Sequence, residues 1–315
     1  MKGLVIKSAK REFECIVLET KEKVVATAYG NLLKGDETIV VGDNVELKKE
    51  DNGWVMEKLH DRKNELFRHI IRENKKKVTA SNVDFLVVLT SVSKPIYKRG
   101  IIDRFLVRAA QWGIQSLVVF NKMDQFQPDS FNLEFETKRL SGLAECFEIS
   151  AKEPSYEPRF LKDGIIDLKK KLEGSVSIFV GQSGVGKSHT ISSLSEGKFN
   201  LRTQTISKKS GKGSHTTTWS EIVDCGNFYL IDSPGIRSLS LDDLQSDGLI
   251  EYFPDLEQIA VQCKFNNCGH EANSKGCAFL KFRDEESLHS KIIISRLESF
   301  LRVSQEVSEI PDWKK

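Results

Sequence analysis

Apolar and polar positions alternate in short runs along the first 74 residues: "GLVIKS", "FECIVLE", "KVVATAYG" and "TIVVGDNVELKKEDNGWVMEKL". A period of two, broken by turn signals at Gly42-Asp43 and at Asp51-Asn52-Gly53, predicts short strands that each bury one face. Several such strands without a helical stretch between them predict a small OB-fold β-barrel, although an SH3-like barrel would give a similar pattern. Barrels of this kind often bind RNA, but a fold does not by itself fix a function.

From position 75 onward the pattern changes. "VDFLVVLTSV" (83–92) and "SLVVFN" (116–121) are unbroken apolar runs, as expected of strands covered on both faces. Between them "GIIDRFLVRAAQWG" carries apolar residues at helical spacing and stops at Gly113. Strand "CFEIS", helix "DGIIDLKKKLEG" and strand "SVSIFVG" repeat the theme, which predicts an α/β unit with a parallel sheet. "TWSEIVDCGNFYLIDSPG" (218–235) reads as a hairpin turning at Cys225-Gly226-Asn227, expected to give that sheet an antiparallel edge. Beyond position 242 the chain turns polar and helical. In its last helix Leu288, Ile292, Leu297, Phe300 and Leu301 are expected to share the apolar face, with Asp284, Glu285 and Glu286 favouring the N-terminus. The chain divides into segments 1–74, 75–242 and 243–315.

Composition narrows this little. A length of 315 residues leaves room for two or three domains, and 39% hydrophobic with 29% charged residues is an ordinary globular balance. No apolar run approaches the ~18 residues of a membrane span, and "MKGLVIKSAKREFEC" turns charged too early for a secretory signal. The expectation is a cytoplasmic, monomeric protein with no membrane association. A net charge of +2 does not specify a nucleic-acid partner. The basic runs at 72–77 and 208–214 read first as solvated linkers or loops.

The candidate chemistry changes the picture more. "GQSGVGKS" fits the phosphate-loop pattern and follows a strand: Gly181, Gln182, Ser183, Gly184, Val185, then Gly186-Lys187-Ser188. Its glycines let successive N–H groups face phosphate oxygens, Lys187 neutralises the β- and γ-phosphates, and Ser188 supplies a hydroxyl for Mg²⁺. His189 continues into the helix whose N-terminus adds positive potential. Asp232 in "YLIDSPG" ends an apolar strand, where a carboxylate can hold Mg²⁺ through water and the Gly235 N–H can meet the γ-phosphate. Thr216, Thr217 and Thr218 are all candidates to complete the Mg²⁺ shell, with Thr217 the working choice.

"NKMD" (121–124) supplies base selection. The Asp124 carboxylate can accept from guanine N1–H and the exocyclic amino group, and adenine offers no matching donors. Lys122 can lie along the base, Asn121 can tie neighbouring loops, and the backbone of Ser150-Ala151-Lys152 can reach the base oxygen. These motifs stand in an unusual order, with the base-reading pair ahead of the phosphate-reading set. Their loops can still gather at the C-terminal ends of one parallel sheet, so the chain reads as a circularly permuted P-loop GTPase. The segment after Asp232 then leads directly into the C-terminal unit, which nucleotide state is expected to move.

Six cysteines in a cytosolic chain do not suggest a disulfide framework. Cys15, Cys146 and Cys225 lie in apolar surroundings and read as core residues. Cys263, Cys268, His270 and Cys277 instead form C-x4-C-x-H-x6-C, a complete tetrahedral donor set for one structural Zn²⁺. The third segment is therefore expected to be a helical zinc-binding domain.

Barrel, permuted GTPase motifs and Cys-Cys-His-Cys module together resemble the ribosome-small-subunit-dependent GTPase family (RsgA) over essentially the whole chain. The resemblance implies an enzyme that hydrolyses GTP to GDP with Mg²⁺. It also implies binding to the small (30S) ribosomal subunit and its rRNA in late maturation, with turnover stimulated there. The family's last zinc spacing is one residue shorter than the six between His270 and Cys277, which questions the loop geometry. Ile236 stands where Ras-like GTPases place a water-orienting glutamine, and the resemblance brings in His215 as a catalytic candidate. The competing readings are a stand-alone signalling GTPase and an RNA-binding protein with a merely structural nucleotide site.

Overall fold

The computed structural model describes residues 1–9, 12–30, 32, 38–70, 75–153, 155–197, 221–232, 241 and 243–309. His215, Thr216, Thr217, Thr218 and Gly235 lie outside these residues.

Strands β1 (Lys2–Ala9), β2 (Glu12–Val17), β3 (Lys23–Ala28), β4 (Asn44–Glu50) and β5 (Gly53–Leu59) pair in the cyclic order β1-β2-β3-β5-β4-β1. The parallel β3–β5 pair and the antiparallel β1–β4 pair close the barrel, so the OB-fold expectation holds over the SH3-like one. Alternate residues fill it, among them Val5, Phe13, Cys15, Val24, Leu47 and Met56. Gly42 has a φ of +91°, and a Cβ there would lie 2.0 Å from the Ser81 carbonyl oxygen. Only glycine lets the barrel approach the following segment so closely.

That segment is a hairpin, β6 (Glu65–Ile70) with β7 (Lys75–Ser81). Within the basic run at 72–77, Lys75, Lys76 and Lys77 are thus strand residues rather than linker. Lys76 pairs with Glu65 and stands 4.3 Å over the Phe67 ring, contacts that offset the charge repulsion. Buried Asp43 binds the hairpin to the barrel, accepting from Arg62 Nε at 2.7 Å and Ser81 Oγ at 2.6 Å.

The α/β unit follows as β8 (Phe85–Ser91), α1 (Arg99–Trp112), β9 (Gln115–Asn121), α2 (Leu133–Leu140), β10 (Ala144–Glu148), α3 (Ile165–Leu172), β11 (Val176–Val180) and α4 (Lys187–Leu194). The hairpin β12 (Glu221–Asp224) and β13 (Tyr229–Asp232) completes it. Strands β10-β9-β8-β11-β13 run parallel, with a core on each face. The 218–235 hairpin forms as expected over its described residues, but β12 is not an edge. It pairs with β1 at Glu221 and Lys7, so sheet and barrel share one continuous ladder of strands.

The C-terminal unit holds α5 (Pro254–Ala260), α6 (Leu280–Arg283) and α7 (Leu288–Glu309), packed on Val107 of α1. The α7 face agrees with the prediction at Leu297 and Phe300 but departs from it at Leu288. Leu288 is 42% exposed, while Ile293, Leu297, Phe300, Val303 and Val307 are buried beside Ser295, Arg296 and Ser299. The reason is ionic: buried Asp103 of α1 takes Arg139 Nη2 of α2 at 2.6 Å and also pairs with Arg296 of α7. Arg296 Nε reaches Asp255 of α5 at 2.7 Å, and Arg139 also donates to Ser295 and Ser299.

Candidate active site and metal centre

The strand order reverses between β8 and β11, since the chain moves from β8 outward to β10 and then returns to add β11 and β13 on the other side. Such a switch point opens a crevice at the C-terminal ends of the strands. The predicted loops all leave from those ends: 121–124 from β9, 150–152 from β10, 181–188 from β11 and Asp232 from β13.

The phosphate loop is shaped by its glycines. Gly181 has a φ of +141°, and a Cβ there would sit 2.2 Å from the Leu89 carbonyl oxygen of β8. Gly186 has a φ of +102°, and its Cβ would meet Asn121 Nδ2 at 2.4 Å. Both places admit only a residue without a side chain. Val185 is buried beneath the loop, whereas Ser183 and Gly184 are exposed along it. Lys187 opens α4 and folds back, its Nζ donating to the carbonyls of Gly181 at 2.6 Å and Gln182 at 3.2 Å. The ammonium is thereby held across the mouth of the loop. Ser188 is the next helical residue and His189, exposed, the one after.

Asn121 is the buried hub of the site. Its Nδ2 donates to Val185 O at 2.8 Å, and its Oδ1 accepts from Lys122 N at 2.8 Å and Ala151 N at 3.0 Å. One side chain therefore fastens the 181–188 loop to the 121–124 and 150–152 segments. Lys122 adopts the left-handed region at φ +65°, and its Nζ donates to Gly184 O at 2.8 Å and to Lys94 O. Asp124 is exposed, with the Ser150 hydroxyl donating to its Oδ1. Lys152 is exposed beside them. Asp232 ends β13 opposite Glu221. Lys94, in the loop after β8, and Glu148, at the end of β10, also hold this region together. Nothing around Lys94 signals this in the sequence, and the motif beside Glu148 points to Ser150-Ala151-Lys152 rather than to Glu148 itself.

The candidate metal centre lies in the C-terminal unit. The donor atoms of Cys263, Cys268, His270 and Cys277 all lie within 4.8 Å of one another. His270 Nδ1 is 3.6 Å from Cys263 Sγ and 3.7 Å from Cys277 Sγ. The longer last spacing does not separate them. A turn with Ser274 N donating to Glu271 O and Cys277 N to Ser274 O absorbs it, helped by Gly276 at φ +73°. Burial lowers the His270 pKa, which keeps the imidazole neutral and able to ligate. Burial, with the neighbouring sulfurs, pushes the Cys277 thiol up to about 11, so a thiolate there requires compensating positive charge. Three sulfurs and one imidazole are the donor set of a closed Zn²⁺ site, and the residues fit it.

Residues 59–242 match the model of a family described as RsgA GTPase. A Flavobacterium psychrophilum protein named small ribosomal subunit biogenesis GTPase RsgA is 32% identical over 86% of this chain and 81% of its own length. A Bacteroides thetaiotaomicron protein named small ribosomal subunit biogenesis GTPase RsgA 2 is 32% identical over 98% of each. The crystal structure of YjeQ from Thermotoga maritima matches with a TM-score of 0.75 at 26% identity, over 98% of both chains. That of YloQ, described as a circularly permuted GTPase, matches in fold with a TM-score of 0.71 at 22% identity, over 98% of this chain and 96% of that one.

Proposed function

Because this chain belongs to the RsgA GTPase family, we propose that it hydrolyses GTP to GDP and phosphate while bound to the small ribosomal subunit during late maturation. The subunit and its rRNA are the partners, and they stimulate turnover. The observation that carries this reading is Asn121, bonded at once to the phosphate loop and to the 150–152 turn. A permuted chain has no reason to bring those loops together on one side chain unless a single nucleotide spans them.

In this reading Asp124 selects guanine, Lys122 lies along the base, and the Ser150-Ala151-Lys152 backbone meets the base oxygen. The loop 181–188 wraps the phosphates, with Gln182, Ser183, Gly184 and Val185 presenting backbone N–H groups and Lys187 neutralising charge. His189 belongs to the same nucleotide-binding stretch. Ser188, Thr217 and Asp232 would hold Mg²⁺, which supplies charge neutralisation between the phosphates. Thr216, Thr218 and Gly235 belong to the segments that meet the γ-phosphate, and His215 is the candidate for orienting the attacking water. Cys263, Cys268, His270 and Cys277 would hold one structural Zn²⁺. The segments 1–74, 75–242 and 243–315 act as RNA-binding barrel, GTPase and zinc domain. Among the described residues no helix is long and apolar enough to cross a membrane. The chain acts as a cytoplasmic monomer in this reading.

The test is GTP turnover with and without purified small subunits, run beside Lys187→Ala. Stimulation by subunits that Lys187→Ala abolishes is the expected result. Turnover indifferent to small subunits would remove the ribosomal part of the proposal, and turnover that survives Lys187→Ala would remove the phosphate-loop assignment.

A further inference from the structure

Glu148 ends β10, two positions before Ser150, and is fully buried. Its carboxylate accepts four hydrogen bonds: from Tyr156 Oη and from the N–H groups of Arg159 at 2.8 Å, Phe160 at 2.9 Å and Leu161 at 2.6 Å. Its own N–H donates to Asp163 O at 3.0 Å. A carboxylate offers about four acceptor sites, so this one is saturated by a single loop. Three successive N–H groups converging on a buried anion define the path of residues 156–161, which return to the strand they left.

The base-reading turn lies inside that closed loop. Ser150 follows Ile149, whose N–H donates to Phe120 O at 2.9 Å, and Glu153 N donates to Ser150 O at 3.0 Å. Asn121 holds the turn on one side through Ala151 N, and Glu148 holds the chain beyond it on the other. We infer that Glu148 is a positioning residue for guanine recognition. By fastening residues 156–161 to β10, it keeps the Ser150 hydroxyl on Asp124 and the Ala151–Lys152 backbone at the base. Preference for guanine over adenine nucleotides then depends on a side chain that touches neither. The inference rests on Asp124 being the base-reading carboxylate.

The experiment compares GDP and ADP affinities of the full chain carrying Glu148→Gln, which keeps the side-chain shape but sets amide hydrogens against N–H donors. GDP affinity is expected to fall by about tenfold or more, ADP affinity to stay unchanged, and the GDP-to-ADP ratio to fall with the first. Combining it with Ser150→Ala should add less than the two separate losses, since both act through Asp124. Unchanged GDP affinity, or equal losses for GDP and ADP, would overturn the positioning role. If Glu148→Gln does not fold, Tyr156→Phe removes one of the four donors and carries the same comparison with a smaller shift. A wild-type chain that binds GDP and ADP alike, or Asp124→Ala that keeps the preference, would instead remove the guanine assignment and this inference with it.

Discussion

Asn121 shows how much one residue can organise. Its amide makes three bonds to three segments, and each typical hydrogen bond is worth roughly 0.5–1.5 kcal/mol net. Asn121→Ala would leave Val185 O and two N–H groups without that partner and remove the tether between the loops. We expect GDP affinity to fall by about ten- to a hundredfold, measured by titration with a fluorescent nucleotide, with a small change in melting temperature. This role was legible because Asn121 sits in a four-residue motif directly after an apolar strand. Glu148 was not. The local motif points to Ser150-Ala151-Lys152 two positions on, and the donors to Glu148 arrive only at positions 156–161.

At the scale of elements, α1, α2, α5 and α7 are joined by charge as well as by apolar packing. Arg139 and Asp103 are fully buried and Arg296 nearly so. Replacing one member leaves the others buried without compensation, which costs about 3–5 kcal/mol. Asp103→Asn is therefore expected to destabilise the chain by about that amount in urea titration and to loosen α7 first in hydrogen exchange. The acid limb follows from the same pair. Burial pushes the Asp103 carboxyl up, but the Arg139 and Arg296 guanidiniums outweigh it and hold the group below its ordinary 3.8. A lowered folded value means the contribution is complete above the unfolded value of 3.8 and is lost as pH falls from there through the folded one. The acid-side loss of stability should shrink in Asp103→Asn, checked by melting temperatures across that window. The helical period predicted α7 itself and put Leu297 and Phe300 on its buried face, but it left out Arg296, because an arginine reads as polar.

At the scale of the molecule, the barrel, the sheet and the zinc unit are held together at a few defined joints. The β1–β12 pairing turns the predicted sheet edge into an internal strand. Asp243 accepts from Arg108 Nη2 of α1 at 2.5 Å and from His69 N of the hairpin at 3.1 Å. The chain beyond it is thereby anchored to two other elements before the helices of the zinc unit begin. Within that unit the Cys and His side chains come from short connecting segments, so a bound Zn²⁺ would supply much of the local folding energy, on the order of 10 kcal/mol for a structural site. Purified protein is expected to carry one zinc per chain in a colorimetric release assay. Chelation should raise hydrogen exchange in residues 263–283 while leaving β8, β9 and β11 protected. Full protection of 263–283 after complete metal removal would contradict a folding role for the ion.

The kinds of parts are fixed locally: period-two strands, buried parallel strands, glycine-dependent loops and a four-donor Cys/His set. Each of these is written in neighbouring residues, because strand period, loop φ and ligand spacing are local properties. Tertiary structure alone decided the partners. It chose which barrel closed through β1–β4 and β3–β5 and buried the Asp103, Arg139 and Arg296 charges. It also gathered the Tyr156 hydroxyl and the N–H groups of Arg159, Phe160 and Leu161 around Glu148. Those outcomes depend on groups far apart in the chain meeting where water is excluded, and no short stretch of residues records which distant atom will be there.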